Sequence, residues 1–278
     1  MHRRQLQECL HQRPPQGNRW TLQRVQGCLT WLADYSLGGV SRLLHAWGYG
    51  IRQARVQQFS PDPEYAPKVA HLLSCLQQVA AAPQEVALLF LDEMGYTAWP
   101  QPGLQWAALA PAPQPVAHKH WSGQVPTNNR QWRVVGALNA WDGQVEFLDD
   151  YKVGRQQLSR FYGQLAQRYQ TMQRLFVVQD NWSVHHHAEV QQAVAAWPQI
   201  EIVWLPTYAA WLNPIEKLWR WLRQDVLKLH RQAGAFAGLR QQVRDFLSRF
   251  ARGSAELLRY VGLHGDGLLA SALRHYST

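Results

Sequence analysis

The chain has 278 residues, of which 46% are hydrophobic and 17% charged, a composition typical of a globular protein with one or two domains. No apolar run is long enough to span a membrane, and no apolar segment follows Arg3 and Arg4, which argues against a secretory signal. The three cysteines, at positions 9, 28 and 75, are not spaced as metal-binding pairs, so we expect a reduced cytoplasmic protein.

The charge distribution favours a polyanionic partner. The net charge is +9 and the isoelectric point is about 9.7. Residues 1–60 contain eight arginines but only two acidic residues, Glu8 and Asp34, so most of the excess positive charge lies in the first fifth of the chain. Double-stranded DNA is therefore the expected partner, and a basic protein without such a partner is the alternative.

Two helices are predicted in the arginine-rich segment, over residues 21–34 and 40–47, with a break at residues 35–39. Their apolar residues recur at helical spacing, and Gly48 and Gly50 are expected to end the second helix. Two helices joined by a tight turn indicate a helix-turn-helix, or else an ordinary helical hairpin. Residues 51–59 are a candidate strand or wing. The candidate DNA contacts in this segment are Ser41, Arg42, Arg52 and Arg55.

The composition changes after residue 60. The proline-rich segment SPDPEYAPK predicts a linker into a helix over about residues 68–82, so that residues 1–59 and 60–84 form separate parts. Residues 85–232 predict strands at EVALLFLDE, 133–140, 144–151, 174–181 and 200–205. Helices are predicted at 154–170, at 185–197 and from Pro214. This order indicates an α/β domain with a mixed sheet, and amphipathic stretches in residues 233–278 predict closing helices or a dimer contact.

Three acidic residues follow buried strands in this domain. Asp92 and Asp180 end apolar strands, and Glu216 lies in the first turn of a helix that follows another strand. Strand ends form the ligand-binding crevice of such folds, and a carboxylate at a strand tip avoids desolvation. Three carboxylates brought together require a cation, and Mg²⁺ or Mn²⁺ suits their oxygens. Two such ions would serve phosphoryl transfer, so the sequence predicts a nuclease or strand-transfer enzyme.

Glu216 also has a structural explanation. Asn213 at the N-cap, Pro214 at the first helical position and Glu216 three residues after the cap form a capping-box pattern. Glu216 could in addition pair with Arg220 one turn later. Arg220 and Arg223 are candidate phosphate contacts or simply solvated residues of that helix.

Other polar clusters have alternative interpretations too. Strand alternation sends Glu93 to the face opposite Asp92, so it is expected beside the site rather than in it. Asp149 and Asp150 are interpreted as a solvated turn. Residues His185–His187 do not predict zinc, because three successive residues cannot face one ion from a helix; one of them is expected near the phosphates. The basic loop 118–133 is a candidate DNA-contacting loop or a solvated hairpin loop.

Three motifs resemble the DDE transposases of the mariner superfamily, specifically its bacterial insertion-sequence branch. They read LFLDE, VVQDNWSVHHH and LPTYAAWLNPIEKLWRWLR, and Asn-Pro-Ile-Glu is the most specific part. The resemblance covers roughly residues 20–230. Thirty-five residues separate Asp180 from Glu216, close to the interval of this superfamily. The resemblance implies an RNase H-like mixed-sheet catalytic core over residues 85–232, preceded by a small helix-turn-helix (winged-helix-like) domain.

The resemblance also implies roles for single residues. Asp92, Asp180 and Glu216 match the catalytic triad, which holds two Mg²⁺ or Mn²⁺ ions. Residues that shape the site match at Glu93, Asn181, His185, Asn213 and Pro214. The implied reaction is hydrolysis at the ends of an insertion sequence, followed by attack of the freed 3′-OH on target DNA by a homodimer in the bacterial cytoplasm, associated with the nucleoid. We therefore expect the three carboxyl groups to lie in one cluster.

Two alternatives remain at this stage. Family members usually carry a further helix-turn-helix before the one found here, and the chain begins too late to contain it. A truncated or catalytically impaired transposase remnant, acting only as a DNA-binding protein, is therefore the second hypothesis. A glycosidase with paired carboxylates is the third, but it explains neither the basic N-terminus nor the Asn-Pro-Ile-Glu motif.

Overall fold

The computed structural model describes residues 1–15, 19–51, 59–102, 129–232 and 234–264. The chain divides into two compact units, Met1–Gln57 and Gln58–Thr278. Among the described helices, none has the length and apolar character needed to cross a lipid bilayer.

The N-terminal unit is helical. It contains α1 (His2–His11), α2 (Leu22–Cys28), a 3₁₀ turn (Thr30–Leu32) and α3 (Leu37–Ala46). Its core consists of five buried aliphatic side chains, Leu6, Val25, Leu29, Leu32 and Val40. The helix α1 was not predicted, although Leu6 and Leu10 stand at helical spacing before a pair of prolines. The described part of this unit therefore has three α-helices rather than two.

The break between the second and third helices differs from the prediction. α2 ends at Cys28 instead of continuing to residue 34. The Ser36 side chain accepts a hydrogen bond from the Gly39 backbone N–H, so both glycines of the expected break lie in the first turn of α3. Gly48 follows α3 with a φ of 83°, which confirms the predicted end of that helix. The candidate strand or wing, with Arg52 and Arg55, lies almost entirely outside the described residues.

The larger unit is built on a five-stranded mixed sheet, which confirms the predicted α/β class. Its strands are β1 (Val86–Thr97), β2 (Gln131–Asn139), β3 (Val145–Asp150), β4 (Arg174–Gln179) and β5 (Ile200–Trp204), in the order β3-β2-β1-β4-β5. β4 and β5 run parallel to β1, whereas β2 is antiparallel to both β1 and β3. The carboxyl ends of β3, β1, β4 and β5 therefore point to the same edge of the sheet.

β1 is longer than predicted, and the expectation that it ends at the acids is wrong. Asp92 pairs with Gly136 of β2, and Glu93 pairs with Val135. On the other side, β4 pairs with β1 only as far as Phe90. Asp92 and Glu93 therefore lie past the end of the pairing with β4. They are still paired with β2, which is why β1 continues beyond them.

Helices cover both faces of the sheet. They are α4 (Tyr65–Ala81), α5 (Arg155–Arg168), α6 (Ala188–Ala195), α7 (Ile215–Leu222), α8 (Phe236–Ser248) and α9 (Ala255–Val261). α4, α7, α8 and α9 pack against the face of β1 that carries Leu88 and Phe90, whereas α5 and α6 pack against the face with Leu89 and Leu91. α8 and α9 thus contribute buried residues to the core on the first of these faces.

Three helix boundaries differ from the prediction. α4 begins at Tyr65, because Pro67 is tolerated in a first helical turn. α6 begins only at Ala188, because the His187 side chain caps it by accepting from the Glu189 backbone N–H. After α7 a π-helical turn, Arg223–Leu227, shifts the helical register and buries Leu227.

Candidate active site

The sheet topology brings the three predicted acids to one cavity. Asp92 lies within β1, Asp180 follows β4 directly, and Glu216 lies in the first turn of α7. All three line a cavity of about 360 Å³, whose other wall is the segment 205–210 after β5. The cavity therefore lies at the edge of the sheet where the parallel strands end.

Asp92 is held by α7. The Trp219 Nε1–H donates a hydrogen bond of 2.9 Å to Asp92 Oδ2. Gly136, the partner of Asp92 on β2, makes this approach possible, because a Cβ atom there would lie 2.6 Å from the Trp219 ring. Burial raises the pKa of Asp92 to about 7, and the charges of Glu216 and Asp180 add to the effect. The carboxyl group is therefore desolvated, unlike the strand-tip carboxylate that the sequence predicted.

Asp180 is more open to solvent, with 56% of its side chain exposed. Its Oδ1 accepts a hydrogen bond of 3.0 Å from the Trp182 backbone N–H, which fixes the turn after β4. The neighbouring Asn181 donates through Nδ2 to Thr207 Oγ1 at 3.2 Å and to the Leu205 carbonyl at 3.4 Å. Asn181 therefore ties the loop of Asp180 to the opposite wall of the cavity, in line with its expected loop-shaping role.

Glu216 does not take part in a capping box. The Asn213 Nδ2 group donates instead to the Leu91 carbonyl at 3.0 Å, so this side chain anchors the start of α7 beside Asp92. Pro214 is the N-cap residue of α7, and it makes no side-chain cap. Glu216 is 41% exposed and lies 3.9 Å from Arg223 rather than beside Arg220. The capping explanation and the predicted pairing with Arg220 are both wrong.

Glu93 and His185 face each other on the opposite side of β1, as strand alternation predicted for Glu93. His185 Nε2 lies 3.5 Å from Glu93 Oε1 and 3.7 Å from Asp180 Oδ1. Burial raises the pKa of Glu93 well above its usual range and lowers the pKa of His185 to about 4. Burial therefore disfavours the charged form of both side chains.

His185 is buried rather than presented to solvent. The Tyr162 hydroxyl donates to Gln179 Oε1 and lies 3.4 Å from His185 Nδ1. The structure thus gives His185 a supporting position behind the loop of Asp180. That one residue of His185–His187 lies near the phosphates stays a prediction, and His186 and His187 are the exposed members of this run.

The compact carboxylate cluster that we expected is not formed. In the part of the chain that the structure describes, no group of three or more His, Cys, Asp and Glu side chains is arranged to hold one ion. Asp92 is bound to Trp219, and the nearest cation to Glu216 is Arg223. The donor chemistry nevertheless fits a divalent cation. Three carboxylates line one cavity, and the charges of Glu216 and Asp180 add to the effect of burial in raising the pKa of Asp92.

The remaining predicted contacts are distributed over both units. In the N-terminal unit Ser41 is half-buried and Arg42 is exposed on α3. In the larger unit Arg220 is exposed on α7, and Arg223 is partly exposed. Most of the basic loop at 118–133 lies outside the described residues.

The interpretation of Asp149 as a solvated turn residue is wrong. Its Oδ1 accepts from Arg244 Nε at 2.9 Å, and its Oδ2 accepts from Trp132 Nε1 at 2.9 Å. The arginine comes from α8, 95 positions further along the chain. Asp149 therefore stabilises the packing of α8 against the sheet.

The comparisons with known proteins agree with this arrangement. A family model for DDE superfamily endonucleases matches residues 87–240. A curated relative, the insertion element IS630 uncharacterized 39 kDa protein of Shigella sonnei, is 23% identical over 239 residues, or 84% of this chain. The chain spans 65% of the length of that relative.

Solved structures show the same fold. The Mos1 mariner paired-end complex with Mn has a TM-score of 0.62 at 14% identity, covering 97% of this chain and 77% of the other. The Mos1 strand transfer complex has a TM-score of 0.60 at 16% identity, covering 99% and 76%. These likenesses confirm the predicted RNase H-like core. Since the family model spans more than half of the chain, including Asp92, Asp180 and Glu216, the chain belongs to the DDE superfamily endonucleases.

Proposed function

We propose that this protein is the DNA transposase of an insertion sequence. It would hydrolyse phosphodiester bonds at the ends of the element and then transfer the freed 3′-OH into target DNA. The observation that carries the proposal is the meeting of Asp92, Asp180 and Glu216 at one cavity within a DDE endonuclease domain. The likeness of the fold to Mos1 complexes with transposon ends supports it.

We propose that Asp92, Asp180 and Glu216 would hold two Mg²⁺ or Mn²⁺ ions. Mos1 complexes have been solved with each of these metals. When bound, such ions activate the attacking oxygen and stabilise the leaving oxygen. Each acid would have to be ionised to act as a ligand, and Asp92 is the one whose burial opposes ionisation.

The surrounding residues would orient the reacting carboxylates. Trp219 fixes one oxygen of Asp92, and Asn213 fixes the start of the helix that presents Glu216. In the hydrolytic step a water oxygen forms the new bond to phosphorus while the 3′ oxygen leaves with a proton. In the transfer step that 3′ oxygen forms the bond to a target phosphorus, a target 3′ oxygen leaves, and the net number of phosphodiester bonds is unchanged.

DNA recognition is assigned to the basic N-terminal segment. We propose residues 1–59 as the helix-turn-helix domain, 60–84 as the linker and helix, 85–232 as the catalytic domain and 233–278 as the closing helices. Arg42 is exposed on the third helix of the N-terminal unit and is the contact that this assignment favours. The protein would act as a homodimer on double-stranded DNA, associated with the bacterial nucleoid.

The test is divalent-metal-dependent cleavage of a duplex that carries the ends of the host element. Asp180→Asn should lower the cleavage rate by roughly 100-fold or more, because it removes a charge at the reacting centre. Asp245→Asn is the matched control, since Asp245 is exposed on α8 and bonds only to Gln241 among the described contacts. Cleavage that survives Asp180→Asn would refute the mechanism, and DNA binding without cleavage by the parent protein would favour the remnant hypothesis.

A further inference from the structure

The segment before α4 is hydrogen-bonded to the wall of the active-site cavity. Asp62 is 4% exposed, and its Oδ2 accepts from the Thr207 backbone N–H at 2.8 Å and from Lys68 Nζ at 2.9 Å. Its Oδ1 accepts from the Glu64 backbone N–H at 2.9 Å. The Ser60 hydroxyl donates to the Thr207 carbonyl at 2.6 Å. Both backbone polar groups of Thr207 are therefore bound by residues that the sequence predicted to be linker.

Thr207 is connected to the loop of the second catalytic acid. Its hydroxyl accepts from Asn181 Nδ2 at 3.2 Å, and Asn181 directly follows Asp180. A chain of hydrogen bonds thus runs from Asp62 through Thr207 to Asn181. A shift of the Thr207 backbone would displace one of the two oxygens that accept from Asn181 Nδ2.

The residue after Thr207 is in a backbone conformation that needs support. Tyr208 has a φ of 57°, in the left-handed region that side chains with a Cβ rarely adopt. Its ring is 79% exposed and lines the cavity with the three acids. The hydrogen bonds to the backbone N–H and C=O of Thr207 resist the relaxation of this loop.

We propose that Asp62 is a positioning residue for the DNA reaction. It fixes Thr207, and through Thr207 it sets the orientation of Asn181 and the placement of Tyr208 in the cavity. The catalytic consequence rests on the proposed function, whereas the fixing of the loop does not. The hydrogen bonds from Lys68 and from the Thr207 backbone N–H lower the pKa of Asp62 to about 2, so the contact persists at every pH at which the reaction would be assayed.

The first experiment measures backbone hydrogen exchange at Thr207 in Asp62→Asn and in Glu64→Gln. The two changes are matched, since each removes one carboxylate beside Lys68, but the Glu64 side chain is 72% exposed and no hydrogen bond in the described region joins it to Thr207. One amide oxygen cannot replace both carboxylate oxygens, so we expect exchange at Thr207 to rise about 10-fold in Asp62→Asn. Equal exchange in the parent and both variants would overturn the proposal.

The second experiment separates positioning from general stability. With the DNA-end substrate, Asp62→Asn should lower kcat by about 10- to 100-fold while KM stays unchanged, because misplaced catalytic groups slow the chemistry rather than the binding. Ser60→Ala should show a smaller loss of the same kind, and it keeps the charge of Asp62. If exchange at Thr207 rises but kcat equals that of Glu64→Gln, the catalytic part of the proposal is refuted. If the parent protein does not cleave, the proposed function falls, and the exchange result alone decides whether Asp62 holds the loop.

Discussion

Replacing Trp219 with phenylalanine would test how the protein sets the ionisation of Asp92. Trp219 is almost fully buried, and its only polar group donates to Asp92 Oδ2 at 2.9 Å. Phenylalanine keeps an aromatic side chain in the core, but it removes the indole donor and the outer ring atoms Cη2 and Cζ2 that face Gly136. The change therefore removes one hydrogen bond to a buried carboxylate and leaves a small cavity, and the cavity lowers the thermal stability without shifting the pKa of Asp92.

The expected change in the pKa of Asp92 follows from the energy of this hydrogen bond. A hydrogen bond to a charged group contributes about 1.5–3 kcal/mol, and about 1.4 kcal/mol corresponds to one pKa unit. Since the Trp219 bond lowers the pKa of Asp92, its loss should raise that pKa by about 1–2 units from its present value of about 7. Less of the protein would then carry the ionised carboxylate at neutral pH. The midpoint of the pH–activity profile should shift upward by the same amount.

The assay is the rate of DNA-end cleavage between pH 6 and pH 9 at limiting Mg²⁺. Trp221→Phe is the matched control, because its indole N–H donates to Asp225 Oδ2 at 2.8 Å, on the same helix but outside the cavity. We expect an unshifted profile for the control. If Trp219→Phe lowers only the melting temperature and its profile coincides with that of Trp221→Phe, the indole does not tune Asp92.

Three further predictions concern stability. Asp92 has a pKa of about 7 in the folded chain, against 3.8 for a free aspartic acid side chain, so the folded state holds this proton more tightly. The stabilisation that the bound proton gives to the folded state is therefore lost as the pH rises from about 4 to 7. Asp92→Asn should remove this dependence of the free energy of unfolding on pH. Without divalent ions, it should stabilise the protein at pH 8 by up to about 4 kcal/mol in urea unfolding. An unchanged pH dependence would contradict this. Gly136→Ala should cost about 1–3 kcal/mol in thermal unfolding, because its Cβ would meet the Trp219 ring at 2.6 Å, and an unchanged melting temperature would refute the close contact. Arg244→Met should cost about 1–3 kcal/mol in urea unfolding, because Asp149 loses its only charged partner in the described region, and a neutral result would show that solvent already screens the pair.

Much of the sheet could be predicted from the sequence. β1, β4 and β5 are covered by helices, so their apolar runs are easily recognised. The end of β1 could not be predicted, because it depends on the length of β2. That partner continues past the acids, whereas β4 stops earlier. Local sequence around Asp92 contains no information about either partner.

The three acids could be identified from motifs, but the residues that support them could not. Trp219 and Asp92 are 127 positions apart, and the helical pattern predicts Trp219 only as an ordinary core residue of an amphipathic helix. Gly136 reads as a strand glycine, and such a residue can mark a close approach of another group. Asp62 lies among prolines, so the sequence of its segment predicts a linker. Its hydrogen bond to Thr207, 145 positions later, is formed only in the folded chain. Contacts over these separations are set by the fold and leave little local signal.

The burial of Asp92 opposes its ionisation, which the prediction of a solvated strand-tip carboxylate did not include. Asp180 and Glu216 are partly exposed, whereas Asp92 is enclosed by β2 and α7 with one indole donor. Ionising Asp92 in the free protein is therefore opposed by desolvation and by the two other carboxylates. If the three acids hold a divalent cation as proposed, its charge would reverse this balance, and metal binding would be coupled to proton release from Asp92. The free energy spent on ionising the buried Asp92 would then lower the affinity of the site for the metal.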